Sequence, residues 1–341
     1  MPELTTPTEI RTETLSYAES VNAALRRALT DWPEALLFGE DVALPGGVFG
    51  VTKGLRRLFG ERVFDTPISE SAILGGAVGS AMMGARPIVE IMWADFALVA
   101  FDQIANQAAN VRYVSRGRLS APLTIRTQQG SAPGACAQHS QSLEALFAQI
   151  PGINVCMPVT HQDAYDLTLA AIADDDPTVI IENRTLYHGR KESILTGGPV
   201  EPIGGAAIRR PGSDVTLVTW GSMLHQALAA AESAAAEGID VEVVDLRWIR
   251  PFDADTVLGS IERTRRVVIA HEAHTFGGFG SEISAQVAEA GIALRVPLVR
   301  VGTPPTRIPA AVQLAGAVVP DASRILDALR RAAHDVAVTV A

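Results

Sequence analysis

The sequence predicts an α/β protein of two domains, and three observations carry that expectation. Short apolar runs without alternation recur at residues 35–38, 87–92, 123–126, 153–157 and 178–181. Helical periodicity separates them, notably over 96–110, 142–149 and 163–173. Strands that read as continuous apolar runs and alternate with helices belong to a parallel sheet covered on both faces. The third observation is a single interruption: between Leu186 and Gly205 the pattern breaks into a polar, Gly/Pro-rich stretch, after which the alternation restarts. A chain of 341 residues is long enough for two domains, each burying its own core.

The elements follow in order. Ser16 and Glu19 form a capping box, and Val21, Leu25, Ala28 and Leu29 then share one helical face, so a first helix follows residue 16. Pro67 sets a turn, Ser69 is a good N-cap, and Gly84 with Pro87 is a stop signal. A helix is therefore expected to open at Glu70 and run through the small residues 71–84. The expected organisation is a polar N-terminal segment 1–13, a first domain 14–186, a linker 187–205 and a smaller second α/β domain 206–341. In the second domain a hairpin joins 206–210 to 215–220, followed by helix 222–237, strand 240–245, helix 253–262, strand 266–271, helix 279–290, strand 297–301 and helix 322–334.

Composition narrows the function. Net charge is −10, the pI is near 5.2, and no long Lys/Arg cluster occurs, so no nucleic-acid partner is expected. The uncharged run 71–85 is shorter than the roughly 20 apolar residues a membrane span needs and is broken by glycines, so no membrane partner is expected either. The N-terminus lacks the apolar core of a signal peptide, and Cys136 and Cys156 fit neither a disulfide framework nor a zinc site. A cytoplasmic setting is the expectation.

Several motifs fail on spacing. GGVFG at 46–50 and GGFG at 277–280 lack the G-x-G-x-x-G pattern that holds a dinucleotide pyrophosphate. In HEAH at 271–274 the histidines are three apart at a strand end, not four apart on a helix as in a zincin. Ser131 is not in a G-x-S-x-G elbow.

What remains lies at the C-terminal ends of first-domain strands, where open α/β sheets bind ligands. Glu40 and Asp41 follow strand 35–38; Trp93, Asp95 and Phe96 follow strand 87–92; Gln128, Gln129 and the loop to Gln138, His139, Ser140 and Gln141 follow the next. By position alone Glu70 reads first as an acid that complements a helix dipole. The joint placement of these groups on one sheet edge points to a site.

The strings LFGEDV (37–42), GVFGVTKG (47–54), DTPISE (65–70), ADF (94–96) with FDQI (101–104), AQHSQ (137–141) and PGINV (151–155) resemble one family. It is the β subunit of the thiamine-diphosphate-dependent, decarboxylating component of 2-oxo acid dehydrogenase complexes. VDLRWIRPFD (244–253) and HEAHTFGGFGSE (271–282) match it too, and the resemblance covers roughly residues 14 to 335. It implies a transketolase-like plan with a pyrimidine-binding domain and a C-terminal domain. It also implies an α2β2 heterotetramer, because the α subunit holds the diphosphate and its Mg2+ with a Gly-Asp-Gly motif absent here.

The resemblance further implies oxidative decarboxylation of a small 2-oxo acid such as pyruvate or a branched-chain acid, or cleavage of acetoin. The acyl group then passes to the lipoyl arm of an acyltransferase core. Glu70 matches the glutamate that hydrogen-bonds the aminopyrimidine ring nitrogen and thereby activates the cofactor. Phe96 matches the aromatic that packs on the pyrimidine, and His139 a donor near the reacting carbon or the lipoyl sulfur. Leu123, Ala171, Ile172, Asp174 and Asp176 match positions whose backbone carbonyls hold a K+ ion in some members. The loop TQQGSAPG (127–134) and Pro305 depart from the family pattern, which bears on substrate access and docking. The alternatives are a split transketolase-like carboligase that uses no lipoyl arm, or a non-catalytic assembly subunit.

Overall fold

The computed structural model describes residues 9–333. Residues 1–8 of the polar N-terminal segment and 334–341 of the second domain lie outside the described residues. Contacts divide the chain into two compact units. The first holds the residues through Gln129 together with 146–203, and the second holds 130–145 and everything from Gly204.

In the first unit, β1 (Arg11–Leu15) leads into α1 (Tyr17–Asp31) through the capping box, with both of its reciprocal hydrogen bonds made. Val21, Leu25, Ala28 and Leu29 are fully buried, so this helix docks by its apolar stripe. β2 (Ala35–Gly39), α2 (Leu55–Phe59), β3 (Val63–Asp65), α3 (Glu70–Met82) and β4 (Arg86–Ile91) follow. After α4 (Ala94–Ala97) and α5 (Val111–Val114) come β5 (Thr124–Gln129), α6 (Glu144–Ala148, whose first two residues belong to the second unit), β6 (Asn154–Cys156), α7 (His161–Ala173), β7 (Thr178–Asn183) and β8 (Glu192–Thr196). Within the unit the strands pair in the order β6-β7-β5-β4-β2-β3, every pair parallel. Their C-terminal ends therefore share one edge.

Two details differ from expectation. The single helix over 96–110 is broken into α4, a π-helical stretch Gln103–Gln107 and a 3-10 turn Ala108–Asn110. Asn106 donates to Asp102 Oδ1 at 2.8 Å and Asn110 to the Asn106 carbonyl at 3.1 Å, side-chain bonds of the kind that compete with a regular helical ladder. In addition, the stretch read as a linker contains β8, which pairs antiparallel with β1 from Arg11↔Thr196 to Leu15↔Glu192.

The second unit carries β9 (Ala207–Arg210), β10 (Val215–Thr219), α8 (Met223–Ala236), β11 (Val241–Asp245), β12 (Trp248–Arg250) and α9 (Ala254–Thr264). β13 (Val267–His274), α10 (Gly280–Glu289), β14 (Val299–Thr303), α11 (Val312–Val318) and α12 (Ala322–Ala333) complete it. Its sheet runs β14-β13-β10-β11-β9. The expected hairpin does not form: β9 pairs antiparallel with β11, while β10 lies between β11 and β13, parallel to both. The physical reason is burial. All five β10 residues are buried, and the centre of the sheet is where a strand carrying Val215, Leu217 and Val218 loses the most water contact.

Candidate active site

Glu70 is the first residue of α3 and is 9% exposed. Ser69 occupies the N-cap position, but its side chain makes no capping bond, contrary to expectation. Its φ of −164° and ψ of 84° depart from the geometry in which a capping hydroxyl reaches the first turn. The helix start is tied down elsewhere: Ser71 Oγ donates to the Val99 carbonyl at 2.8 Å, just past α4. Phe96 sits on α4 and is half-buried.

Glu40 reaches the same edge from β2. Gly39 approaches β4 so closely that a Cβ there would lie 2.4 Å from the Glu90 carbonyl, and its φ of +149° suits glycine alone. The loop beyond is pinned by Asp65, whose two carboxylate oxygens accept from the amides of Ala43 and Leu44 at 2.7 and 3.1 Å. The Thr66 amide donates to the Gly39 carbonyl at 2.9 Å. These bonds hold the Glu40 loop against the chain that leads into Glu70. Burial, followed by the like charges of Glu70, Asp41 and Glu90, pushes the Glu40 carboxyl up from its ordinary pKa. Its Oε1 is buried with no hydrogen-bond partner among the described residues.

Behind this edge the sheet holds a buried ion cluster. Arg126 on β5 donates to both carboxylate oxygens of Glu182 at 2.7 and 2.9 Å and to Glu90 at 2.7 Å. Tyr187 Oη donates to Glu182 at 2.6 Å. Burial opposes the Arg126 charge, but Glu182 and Glu90 outweigh it and hold the guanidinium proton more tightly than usual. Gln128 extends the cluster to the edge, donating weakly to Glu90 at 3.5 Å and accepting from the Trp93 amide at 3.3 Å. Trp93 has a left-handed φ of 68° and carries the Arg184 guanidinium over its ring at 4.8 Å.

The carbonyls matched to a K+ site converge where α7 ends, and most already accept hydrogen bonds. Leu123 O accepts from the Thr178 amide at 2.9 Å and Ala171 O from Thr124 Oγ1 at 3.2 Å. Ile172 O and Asp174 O both accept from Arg86 Nη1, at 2.6 and 2.8 Å, and Arg86 Nη2 meets Asp175 at 2.9 Å. Asp176 contributes its amide to Asp174 Oδ1 at 2.8 Å. The Arg86 guanidinium thus lies against two of these carbonyls, those of Ile172 and Asp174. His139 lies on the segment 130–145, which belongs to the second unit, whereas Glu70, Glu40 and Phe96 belong to the first.

Comparison with known proteins agrees with this architecture. Residues 13–190 match the transketolase pyrimidine-binding domain, and residues 204–325 the transketolase C-terminal domain. The chain is 42% identical to the β subunit of acetoin:2,6-dichlorophenolindophenol oxidoreductase of Cupriavidus necator, over 93% of this chain and 97% of that one. It is also 42% identical to a pyruvate dehydrogenase E1 component β subunit of Leifsonia xyli, covering 97% and 98% of the two chains. The chain belongs to the family of β subunits of thiamine-diphosphate-dependent 2-oxo acid and acetoin dehydrogenases. The Bacillus subtilis pyruvate dehydrogenase E1 β subunit is 39% identical over 86% of this chain and 91% of its own. A split-gene transketolase structure, described as an inactive β4 tetramer, shares the fold with a TM-score of 0.75 and 24% identity over 93% of this chain.

Within this family fold, sequence reasoning passed over three groups: the tie made by Asp65, the Arg126 cluster and Arg184 on Trp93. A signal for the cluster was present. Glu90 and Arg126 fall inside, and Glu182 directly after, runs read as buried strands, and buried charges require partners.

Proposed function

We propose that this chain is the β half of a thiamine-diphosphate-dependent dehydrogenase that cleaves a 2-oxo acid or acetoin and transfers the acyl group to a lipoyl arm. It acts in an assembly with an α subunit that holds the diphosphate and Mg2+. The observation that carries the reading is the buried Glu70 carboxylate in the first turn of α3, coupled to Glu40 on the C-terminal edge of a parallel sheet. The buried, unpartnered Oε1 of Glu40 fits a ligand that brings a hydrogen-bond donor to this edge. An aminopyrimidine carries such a donor.

Thiamine diphosphate, when bound, supplies an electron sink for cleaving the bond beside a carbonyl. Glu70 would hold a proton at the pyrimidine ring nitrogen of the bound cofactor, and the helix start fixes the position from which that carboxyl acts. Phe96 would pack on the pyrimidine. His139 donates to the developing oxyanion or the lipoyl sulfur. A K+ ion, which the resemblance implies at the carbonyls of Leu123, Ala171, Ile172, Asp174 and Asp176, would share two of them with Arg86. A cytoplasmic setting is part of this reading, and Cys136 and Cys156 form no disulfide with each other. Among the described residues no helix is long and apolar enough to cross a membrane.

The test is reconstitution with the α chain and a lipoyl domain. Acylation of the lipoyl domain from a 2-oxo acid or acetoin is expected, and Glu70→Ala should abolish it. Decarboxylation that survives Glu70→Ala would overturn the catalytic role. Substrate-dependent carboligation without lipoyl acylation would favour the transketolase-like alternative.

A further inference from the structure

Residues 130–143 lie in neither helix nor strand. Within them the Ala135 amide donates to the Ala132 carbonyl at 3.0 Å. Cys136 adopts a left-handed φ of 51°, uncommon for a residue with a side chain. A loop of this length outside helix and strand takes much of its position from what anchors it.

Three anchors are visible, all within the second unit. Near its start, the Ser131 amide donates to Glu272 Oε1 at 2.5 Å, while Ser222 Oγ holds the other Glu272 oxygen at 3.1 Å. At its end, buried Trp220 donates its indole Nε1 to Glu144 Oε1 at 3.0 Å. Between them Arg307 donates to Gln141 Oε1 at 2.6 Å. His139 lies in the span so bracketed.

The anchors themselves rest on a fixed base. Trp220 stacks on His271, with centroids 4.8 Å apart and planes 15° apart, and Phe279 meets its edge at 6.0 Å. The fully buried His271 ring fills a cradle that any Cβ would close. A Cβ on Gly280 would lie 2.8 Å from its Nε2, and Cβ atoms on Gly278 and Gly302 would lie 2.9 and 3.0 Å from its Cε1. The HEAH motif that fails as a zinc site thus has an architectural use: His271 supports Trp220, and Glu272 takes the Ser131 amide.

We propose that Trp220 and Glu272 are positioning residues that clamp the segment 130–145 on the second unit and so set the place of His139. This rests on the role proposed above for His139. The experiment uses the full chain in its α/β assembly with Trp220→Phe, which keeps an aromatic ring but removes the N–H with part of the indole, and Glu272→Gln, which weakens the acceptor. Amide hydrogen exchange across 131–145 should quicken at least tenfold in both variants, with α1 unchanged. The kcat for lipoyl acylation should fall about tenfold, while KM for the substrate holds. The same substitutions placed on His139→Ala should cost nothing more.

Unchanged exchange across 131–145 would overturn the clamp. So would a rate loss that persists in full on the His139→Ala background. If the unmodified assembly acylates no lipoyl domain, the functional reading fails, yet the exchange measurement still decides whether the clamp exists.

Discussion

In the centre of the first-unit sheet, Glu90 and Glu182 close on Arg126 from the two flanking strands, and every one of these charges has a partner. At the C-terminal edge of the same sheet, Glu40 is surrounded by the like charges of Glu70, Asp41 and Glu90, and one of its oxygens has no donor among the described residues. The cluster lies on β4, β5 and β7, and Glu40 directly follows the neighbouring β2. The difference teaches what each is for. Buried charge that is fully hydrogen-bonded is consistent with a structural role, whereas buried charge left uncompensated costs stability and persists where a ligand completes it.

Breaking the comparison at either end should give opposite results. Glu70→Ala is expected to lower lipoyl acylation by the reconstituted assembly by about 10²–10⁴-fold. Its thermal stability should shift by no more than about 1 kcal/mol, the scale of a helix-dipole contact. A large stability loss with intact turnover would place Glu70 with the structural set.

Arg126→Met should do the reverse. It leaves Glu90 and Glu182 uncompensated in the core, and breaking a buried pair in this way costs about 3–5 kcal/mol. Denaturant unfolding of the full chain measures it; a loss below about 1 kcal/mol would show that the cluster is not structural.

His271 tests a buried group kept neutral rather than paired. Burial lowers its pKa from 6.5 to about 4. Between those values the unfolded chain binds the proton and the folded chain does not, so stability is full above pH 6.5 and falls as pH drops toward 4. The integrated loss is roughly 3 kcal/mol. Thermal melts of His271→Asn across this window should show a flatter dependence; an unchanged slope would rule out His271 as its source.

Glu40→Gln is expected to have the smallest effect. The folded-state pKa of Glu40 is raised, so ionisation opposes folding, and its favourable contribution is lost as pH rises through that value. The amide should therefore leave stability at pH 7 equal or higher by up to about 1 kcal/mol, with no gain at acid pH. Destabilisation at neutral pH would mean that Glu40 has a cationic partner and belongs with the Arg126 cluster.

Much of the fold was legible because local rules and tertiary packing agree. The Ser16/Glu19 capping box starts α1 as expected, and the apolar runs at 35–38, 87–92 and 178–181 are parallel strands. Where they disagree, pairing won. The turn residues after Arg210 read as a hairpin, but β10 is drawn into the sheet centre, and β9 crosses to β11. Ser69 stands at an N-cap without capping, since its φ of −164° and ψ of 84° depart from cap geometry. In the candidate site, Glu70, Phe96 and His139 were legible as residues through the family strings. Asp65, Arg184 and Trp220 were not, because each acts through a partner 22 to 91 positions away.

By itself the sequence determined the element types, the family and the identity of the acid at the start of α3, since periodicity, caps and long matching strings are local properties. Only the tertiary structure decided which charges are compensated and which body carries the loop of His139. Both depend on contacts between residues far apart in the chain, and the burial that makes an uncompensated charge expensive exists only once those contacts have formed.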